Sequence, residues 1–346
     1  MTQFAAPQFV SPSAASTVLD VARLANVSAS TVSRILNGNA RVSPDKREAV
    51  EEAIRKLKFR PNLSARSLRS RSTKTIGILT QDLESPYFTG GTKGIEQGLL
   101  GSGYAPLVVP GHWNLAEELD RARLLISRKV DAMIILGGTL GDDQIAEMAQ
   151  QQPIAVTGRH LVAANVYSFH FDQVAGGRMA TEHLISLGHK RIAHITGPVT
   201  HSDAVERKEG YLQAHANARL SVDPRLIVEG DYVEEGGERA INSLLDSKVP
   251  FSAVFCANDP TLWGARLALH RRGIEVPGQI SLVGFDDMPQ SMYMTPPVTT
   301  VRQPMHQMGQ AAAQAVLRAL GLVDMESYPL PSLNLVVRET TASFDL

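Results

Sequence analysis

Thr17-Val-Leu-Asp20-Val-Ala22-Arg-Leu-Ala-Asn26-Val-Ser28-Ala-Ser-Thr31-Val32-Ser-Arg34-Ile-Leu-Asn37-Gly38 is the stretch on which the reading of this chain turns. Asp20 follows Thr17 by three residues, the spacing of a capping box at a helix start. Ala22 is small where a crossing helix has to come close. Asn26-Val27 interrupts the apolar periodicity, and Ser28 is placed to cap a second helix that sends Val32, Ile35 and Leu36 inward. Two short helices joined by a tight turn make a helix-turn-helix, whose second helix lies in the DNA major groove. Its outward face shows Ala29, Ser30, Ser33 and Arg34, all short except the arginine. A third helix follows, and then a basic segment with no clear helical pattern of its own.

Charge supports the same reading. Between Thr17 and Arg71 stand twelve Lys or Arg against five Asp or Glu, a net of +7, while the whole chain sums to −1. The remainder therefore carries −8, and a basic head sits on an acidic body. That asymmetry points to a polyanion as the partner of the head alone. A solvated helical hairpin with no special role is the plain alternative, and the coincidence of caps, turn and clustered charge weighs against it.

At 346 residues the chain suits about two to three domains. Its 43% hydrophobic and 20% charged residues are those of a folded globular protein. No apolar run approaches the roughly 20 residues that span a bilayer. Residues 1–16 lack the basic and apolar regions of a secretory signal and read as a disordered leader. One cysteine, Cys256, excludes an intrachain disulfide and any multi-cysteine metal site, and a reducing cytoplasm is the simplest compartment. Cys256 lies in an apolar, strand-like run, so packing explains it better than reactivity.

From residue 75 onward, β-branched segments alternate with amphipathic ones. Strands are expected at 75–81, 104–110, 131–137, 153–158, 167–172, 191–196, 226–229, 251–257 and 280–285. Helices are expected near 89–101, 115–128, 142–151, 174–187, 203–218, 235–247 and 261–272. Such alternation means parallel sheets covered on both faces. Nine strands exceed what one such sheet usually holds, which favours two α/β subdomains divided near Phe171-Asp172. Residues 298–304 would cross back, giving the helix at 305–321 to the first subdomain. Ligands of doubly wound sheets bind beyond the carboxyl ends of the strands, so two facing subdomains form a cleft.

Those ends are Gln81-Asp82, the run Thr157 to His160, Gly197-Pro198, Asn258-Asp259 and the run Gly284 to Asp287. Polar groups over an aromatic floor suit a hydroxyl-rich ligand. Asp259 can equally cap the helix that follows, and Asp286-Asp287 can equally be a polar turn. Enzyme signatures are absent: there is no G-x-G-x-x-G after the first strand, no G-x-x-x-x-G-K-[ST], no G-x-S-x-G and no H-E-x-x-H. No catalytic residue, metal or cofactor is expected.

The chain resembles the lactose/galactose repressor (LacI/GalR) family of bacterial transcription regulators over residues 17–341. The pieces that carry the likeness include Val27-Ser-x-x-Thr31-Val-Ser33-Arg34, Leu36-Asn37-Gly38, Pro61-Asn62, Ala65-x-x-Leu68, Arg207-x-x-Gly210-Tyr211, Asn258-Asp259 and Val283-Gly-Phe-Asp286-Asp287. The resemblance implies an α/β fold: an all-α helix-turn-helix head at 17–60, a hinge at 61–74, and a periplasmic-binding-protein-like body. The body would divide into a first subdomain of 75–171 with 303–332 and a second of 172–302 with 333–346. It implies a homodimer on a palindromic double-stranded operator, with Thr17, Ser28, Ala29, Ser30, Thr31, Ser33, Arg34, Asn37, Asn62, Ala65 and Leu68 at the DNA. Arg34 is the candidate for a guanine contact. Segment 62–69, too short for a stable helix in water, would fold on the operator and wedge Leu68 into the minor groove, unless Leu68 is a linker residue packed on the body.

For the body, the resemblance implies a small-molecule effector, most often a sugar, held by Tyr87, Phe88, Phe171, Arg207, Tyr232, Asn258, Asp286 and Gln303. A non-sugar effector or a corepressor remains the alternative, and a solute-binding protein a more distant one. Ser85 replaces the usual Asn of its loop, and His201 stands about where purine-binding members place an arginine, which weakens a purine reading. Trp263 is assigned to packing or a dimer contact ahead of ligand. The expected setting is the cytoplasm, on the nucleoid, with no membrane partner.

Overall fold

The computed structural model describes residues 16–36, 42–59, 72–324 and 329–344. The leader up to residue 15, Asn37, and the hinge positions Asn62, Ala65 and Leu68 lie outside the described residues. The chain forms two compact units, residues 1–73 and 74–346, each built around its own core.

The head contains α1 (Val18–Leu24), α2 (Ala29–Leu36) and α3 (Pro44–Leu57). Thr17 and Asp20 close the capping box: Asp20 N–H donates to Thr17 Oγ1 at 3.3 Å and Thr17 N–H to Asp20 Oδ2 at 2.9 Å. The turn passes through Asn26 at φ +51°, a left-handed conformation that asparagine tolerates better than most residues. Ser28 Oγ then accepts from Thr31 N–H at 3.2 Å and starts α2. Val21, Val32 and Val50, one from each helix, are fully buried together with Ala22, Ile35, Ala53 and Phe59.

The body holds two sheets. The first, in order β2-β1-β3-β4-β5, is parallel throughout and comprises β1 (Thr75–Thr80), β2 (Ala105–Pro110), β3 (Ala132–Leu136), β4 (Ile154–Thr157) and β5 (Val166–Phe169). The second runs β11-β10-β9-β8-β6-β7, from β6 (Ile192–Thr196), β7 (Ile227–Glu229), β8 (Ala253–Cys256), β9 (Ser281–Asp286), β10 (Thr299–Arg302) and β11 (Asn334–Val336). Among the described residues there are thus eleven strands where the sequence suggested nine. The segment read as a plain crossing contains β10, parallel to β9, and β11 adds antiparallel to its edge. Both are short, and Pro296, Pro297 and Pro304 around β10 mask its strand pattern.

Helices cover both faces of each sheet. On the first lie α4 (Pro86–Leu99), α5 (Leu115–Ser127) and α6 (Asp142–Ala149); on the second lie α7 (Gln173–Ser186), α8 (Ser202–Asn217), α9 (Glu234–Asp246) and α10 (Asp259–Arg271). The late helix α11 (Met305–Ala319) returns to the first sheet, where Ala312, Ala313, Val316 and Leu317 share a core with Ile76, Ile78 and Ile95. Leu79, Leu125, Ile145 and Val156 fill the opposite face. Close helix pairing fixes the second lobe: a Cβ on Gly177 would lie 2.2 Å from Arg207 O, and one on Gly210 2.1 Å from Val174 O. Only glycine permits that approach of α7 to α8, and it sets the height at which α8 presents Arg207. No described helix is long and apolar enough to cross a membrane.

Candidate functional site

The loops after β1, β2, β3 and β4 of the first sheet and β6, β7, β8 and β9 of the second meet at one cleft, a cavity of about 880 Å³. Asp82, Trp113, Gly138 and Arg159 reach it from the first lobe; His201, Asp203, Arg207, Tyr232, Asn258 and Asp286 reach it from the second. Of the residues assigned from sequence, Tyr87, Phe88, Arg207, Tyr232, Asn258 and Asp286 line the cavity, and Phe171 and Gln303 do not. Phe171 is instead packed with Met305 and Met308. Gln303 acts from behind: its Nε2–H donates to Asp286 Oδ1 at 2.6 Å and its Oε1 accepts from Gln173 Nε2 at 2.9 Å.

Arg207 is the centre of the second lobe's wall. Its Nε–H donates to Gln173 Oε1 at 2.9 Å and Nη1 to Ala257 O at 2.5 Å, while the guanidinium carbon rests 3.9 Å from the centre of the Phe285 ring. The remaining nitrogen, Nη2, stands 3.9 Å from both Asp203 Oδ2 and Asp286 Oδ1. A gap of that length is longer than a hydrogen bond, so donor and acceptors stay open to a third group. Burial opposes the Arg207 charge, and Tyr232, Asp286 and Asp203 more than restore it, holding its pKa above the ordinary value. Burial lifts Asp286 to about 6 against the pull of Arg207 and Gln303, and it lifts Asp203 in the same direction.

The two polar pairs at the strand ends, Asn258-Asp259 and Asp286-Asp287, separate by role. Asn258, not Asp259, caps α10, accepting from Thr261 N–H at 3.0 Å while its Nδ2–H donates to Tyr232 O at 2.9 Å. Asp259 is fully buried below the cleft, where it accepts from Met288 N–H and from the Ser291 and Thr300 hydroxyls. Burial and the nearby Asp286 raise it to about 7. Asp286 faces the cavity, whereas Asp287 pairs with Arg302 at 2.6 Å and Arg338 at 2.7 Å. Both aspartates have positive φ, +106° and +56°, and this set of partners holds the turn. Trp263 donates to Ser291 Oγ at 3.2 Å and packs in the core, outside the cavity lining.

Sequence reasoning missed the aromatic contact across the cleft. Trp113 stacks on His201 with ring centres 4.5 Å apart and 24° between planes, and its other neighbours are Phe88 at 5.9 Å and Gly137. Trp113 N–H donates to the buried Gln81 Oε1 at 2.9 Å, which fixes the left-handed pair His112-Trp113. The rim beside it is clamped from two sides: fully buried Glu118 accepts from Thr139 and Leu140 N–H groups, and Arg159 donates to Gly138 O and Leu140 O. Asp203 also went unassigned, although it stands four residues before Arg207 on a helix. No group of three or more His, Cys, Asp or Glu among the described residues is arranged to hold a metal ion.

In the head, Ser30 and Arg34 are exposed on α2, while Ala29 is half-buried against the head's core. Ser28 Oγ lies 2.8 Å from Ser30 Oγ and 2.9 Å from Thr31 Oγ1, so these hydroxyls brace the first turn of the helix.

Comparison with known proteins bears on both units. Residues 17–62 match the family described as bacterial regulatory proteins, lacI family, and residues 73–327 match periplasmic binding proteins and sugar binding domain of LacI family. The HTH-type transcriptional regulator GalR of Escherichia coli (strain K12) is 37% identical over 325 residues, 94% of this chain and 93% of that protein. Among solved structures, the Lac repressor dimer bound to operator and the anti-inducer ONPF superposes with a TM-score of 0.83 at 27% identity, covering 95% of this chain and 100% of that one. The transcriptional regulator CelR–cellobiose complex gives 0.69 at 32% identity, with coverage of 94% and 99%.

Proposed function

The chain belongs to the LacI family of bacterial regulatory proteins, and we propose that this ligand-responsive transcriptional repressor controls carbohydrate-utilisation genes and releases a palindromic operator when a sugar fills its cleft. It is a regulator and not an enzyme, as its relatives are. The observation that carries the sugar reading is the open triad of Arg207 Nη2 between Asp203 and Asp286, walled by Tyr87, Phe88, Trp113 and Tyr232. A sugar hydroxyl accepts from the guanidinium while donating to a carboxylate, and the apolar face of the ring lies against an aromatic side chain. The cellobiose bound by the CelR relative has that chemistry.

On this reading, Tyr87, Phe88, Arg207, Tyr232, Asn258 and Asp286 bind the effector, with Phe171 and Gln303 supporting them. Two protomers in the cytoplasm place paired recognition helices in successive major grooves. Arg34 reads a base, the hydroxyls around Ser28 position the helix, and Asn37, Asn62, Ala65 and Leu68 complete the contact.

Operator binding measured by fluorescence anisotropy tests this reading. A head making about 6–10 phosphate contacts loses roughly 10³–10⁵ in affinity between 50 and 200 mM salt. Arg34→Ala should abolish sequence preference while the body stays folded. A sugar that raises the melting temperature of the body should also release the operator. A sugar that binds without changing operator affinity refutes the induction step, and a sugar that tightens the complex makes it a corepressor.

A further inference from the structure

Resting on the sugar reading of the same cleft, we propose that the site selects an uncharged, hydroxyl-rich effector and rejects the phosphorylated form of the same sugar. The cavity is lined by five carboxylates, Asp82, Asp142, Asp203, Asp231 and Asp286, against two guanidiniums, Arg159 and Arg207. Asp231 has an outside partner in Arg239, so the excess inside is acidic.

Neither guanidinium offers two open nitrogens as a fork for an anion. Arg159 spends Nη1 on Leu140 O and Asp142 and Nη2 on Gly138 O. Arg207 has one nitrogen open, and it faces carboxylates on two sides at 3.9 Å. Helix N-termini, the other common cradle for phosphate, are answered at all but one of the helices that start on the cleft. First-turn acids stand at four of the helix starts on the cleft: Asp142 and Asp143 on α6, Asp203 on α8, Glu234 and Glu235 on α9, and Asp259 on α10. Helix α4, whose Ser85 and Tyr87 also line the cavity, has none, but it opens on Pro86, which lacks an N–H, and Asp82 lines the cavity just ahead of it.

The hydrogen-bonding pattern makes the same selection. Asp203 and Asp286 present acceptors that need a donor, which a hydroxyl supplies and a phosphate oxygen, at about −1.5 to −2 charge per group near neutral pH, does not. A phosphate near Arg207 Nη2 would therefore meet two like charges for one cation.

Thermal-shift and calorimetric titrations of the full-length protein test this with inorganic phosphate and with matched pairs: glucose and glucose 6-phosphate, ribose and ribose 5-phosphate, cellobiose and its 6′-phosphate. Phosphate should give no saturable shift beyond an equal ionic strength of chloride. Any sugar that binds should lose at least about 100-fold in affinity on phosphorylation, since juxtaposed like charges are strongly disfavoured. Asp203→Asn, at a partly exposed residue with no close hydrogen bond to lose, should gain phosphate binding by about tenfold or more. A phosphorylated sugar that binds as well as its parent overturns the proposal, and so does phosphate refusal that persists in Asp203→Asn. If phosphate is refused, Asp203→Asn gains it and no neutral sugar binds, the charge selection stands and the sugar reading falls.

Discussion

Replacing Gln303 with alanine removes the side chain that braces the carboxylate of the cleft and the residue that braces its guanidinium. Gln303 is 4% exposed, donates to Asp286 at 2.6 Å and accepts from Gln173 at 2.9 Å. A bond to a carboxylate contributes about 1.5–3 kcal/mol and one between amides about 1 kcal/mol. The expected loss is therefore about 3 kcal/mol of body stability, read as a lower urea midpoint at an unchanged slope. Electrostatics add a second readout. Asp286 titrates in the folded state at about 6, above its ordinary 3.8, so its contribution to stability is complete below that lower value and is lost as pH rises through 6. After Arg207, Gln303 is what restrains this rise. Without it the carboxyl climbs further, and the difference between variant and parent should be smaller at about pH 5 than at about pH 8. A variant within about 1 kcal/mol of the parent at both pH values would refute the claim that this relay holds the site.

Two other groups give independent checks. His194 is fully buried, its Nδ1–H donates to Phe255 O at 2.9 Å, and burial depresses it from 6.5 to about 4. Its contribution, about 3 kcal/mol, is present above pH 6.5 and lost as pH falls through 4, so His194→Phe should flatten the acid limb of the stability profile by up to one proton; an unchanged slope counts against this. Trp113 and Trp263 are the only tryptophans, so Trp263→Phe leaves Trp113 as sole reporter. Burial lowers the pKa of the stacked His201, with Asp203 opposing, and Trp113 emission should drop as that ring protonates below pH 6.5; the drop should vanish in His201→Gln, and its persistence there would discount the stack.

What could be read from sequence and what could not divide along physical lines. Helix starts were legible where a short polar side chain serves its own backbone, as at Thr17 and Ser28, because those contacts span only a few residues. Nine strands of the two sheets were legible from their apolar runs, but β10, although buried, was not, because prolines flank its four residues. Edge strand β11, three residues long, carries too little pattern to register. Strand ends led to Asp286 and Asn258, both of which line the cavity, but not to Trp113, which follows the end of β2 at Pro110 by three residues. Its stack on His201 joins positions from different lobes, and no local periodicity encodes such a meeting. Gln303 illustrates the converse: its nearness to the site was legible, but that it braces Asp286 from behind depends on the path by which the chain crosses between lobes.

The return of α11 to the first sheet has a consequence for how the protein is made. Leu317 packs in the same core as Ile76, so the first lobe of the body stays unfinished until about 240 further residues have been synthesised. At roughly 5–20 residues per second that is a wait of about 12–50 s. The head needs nothing beyond Phe59 for the core described and can be complete throughout. During that interval a nascent chain carries a finished head on a body that still lacks the helix covering Ile78 and Ile95. That exposed apolar face is where a chaperone would engage the chain, and a truncation that ends before residue 305 should leave the first lobe open rather than yield a smaller folded protein.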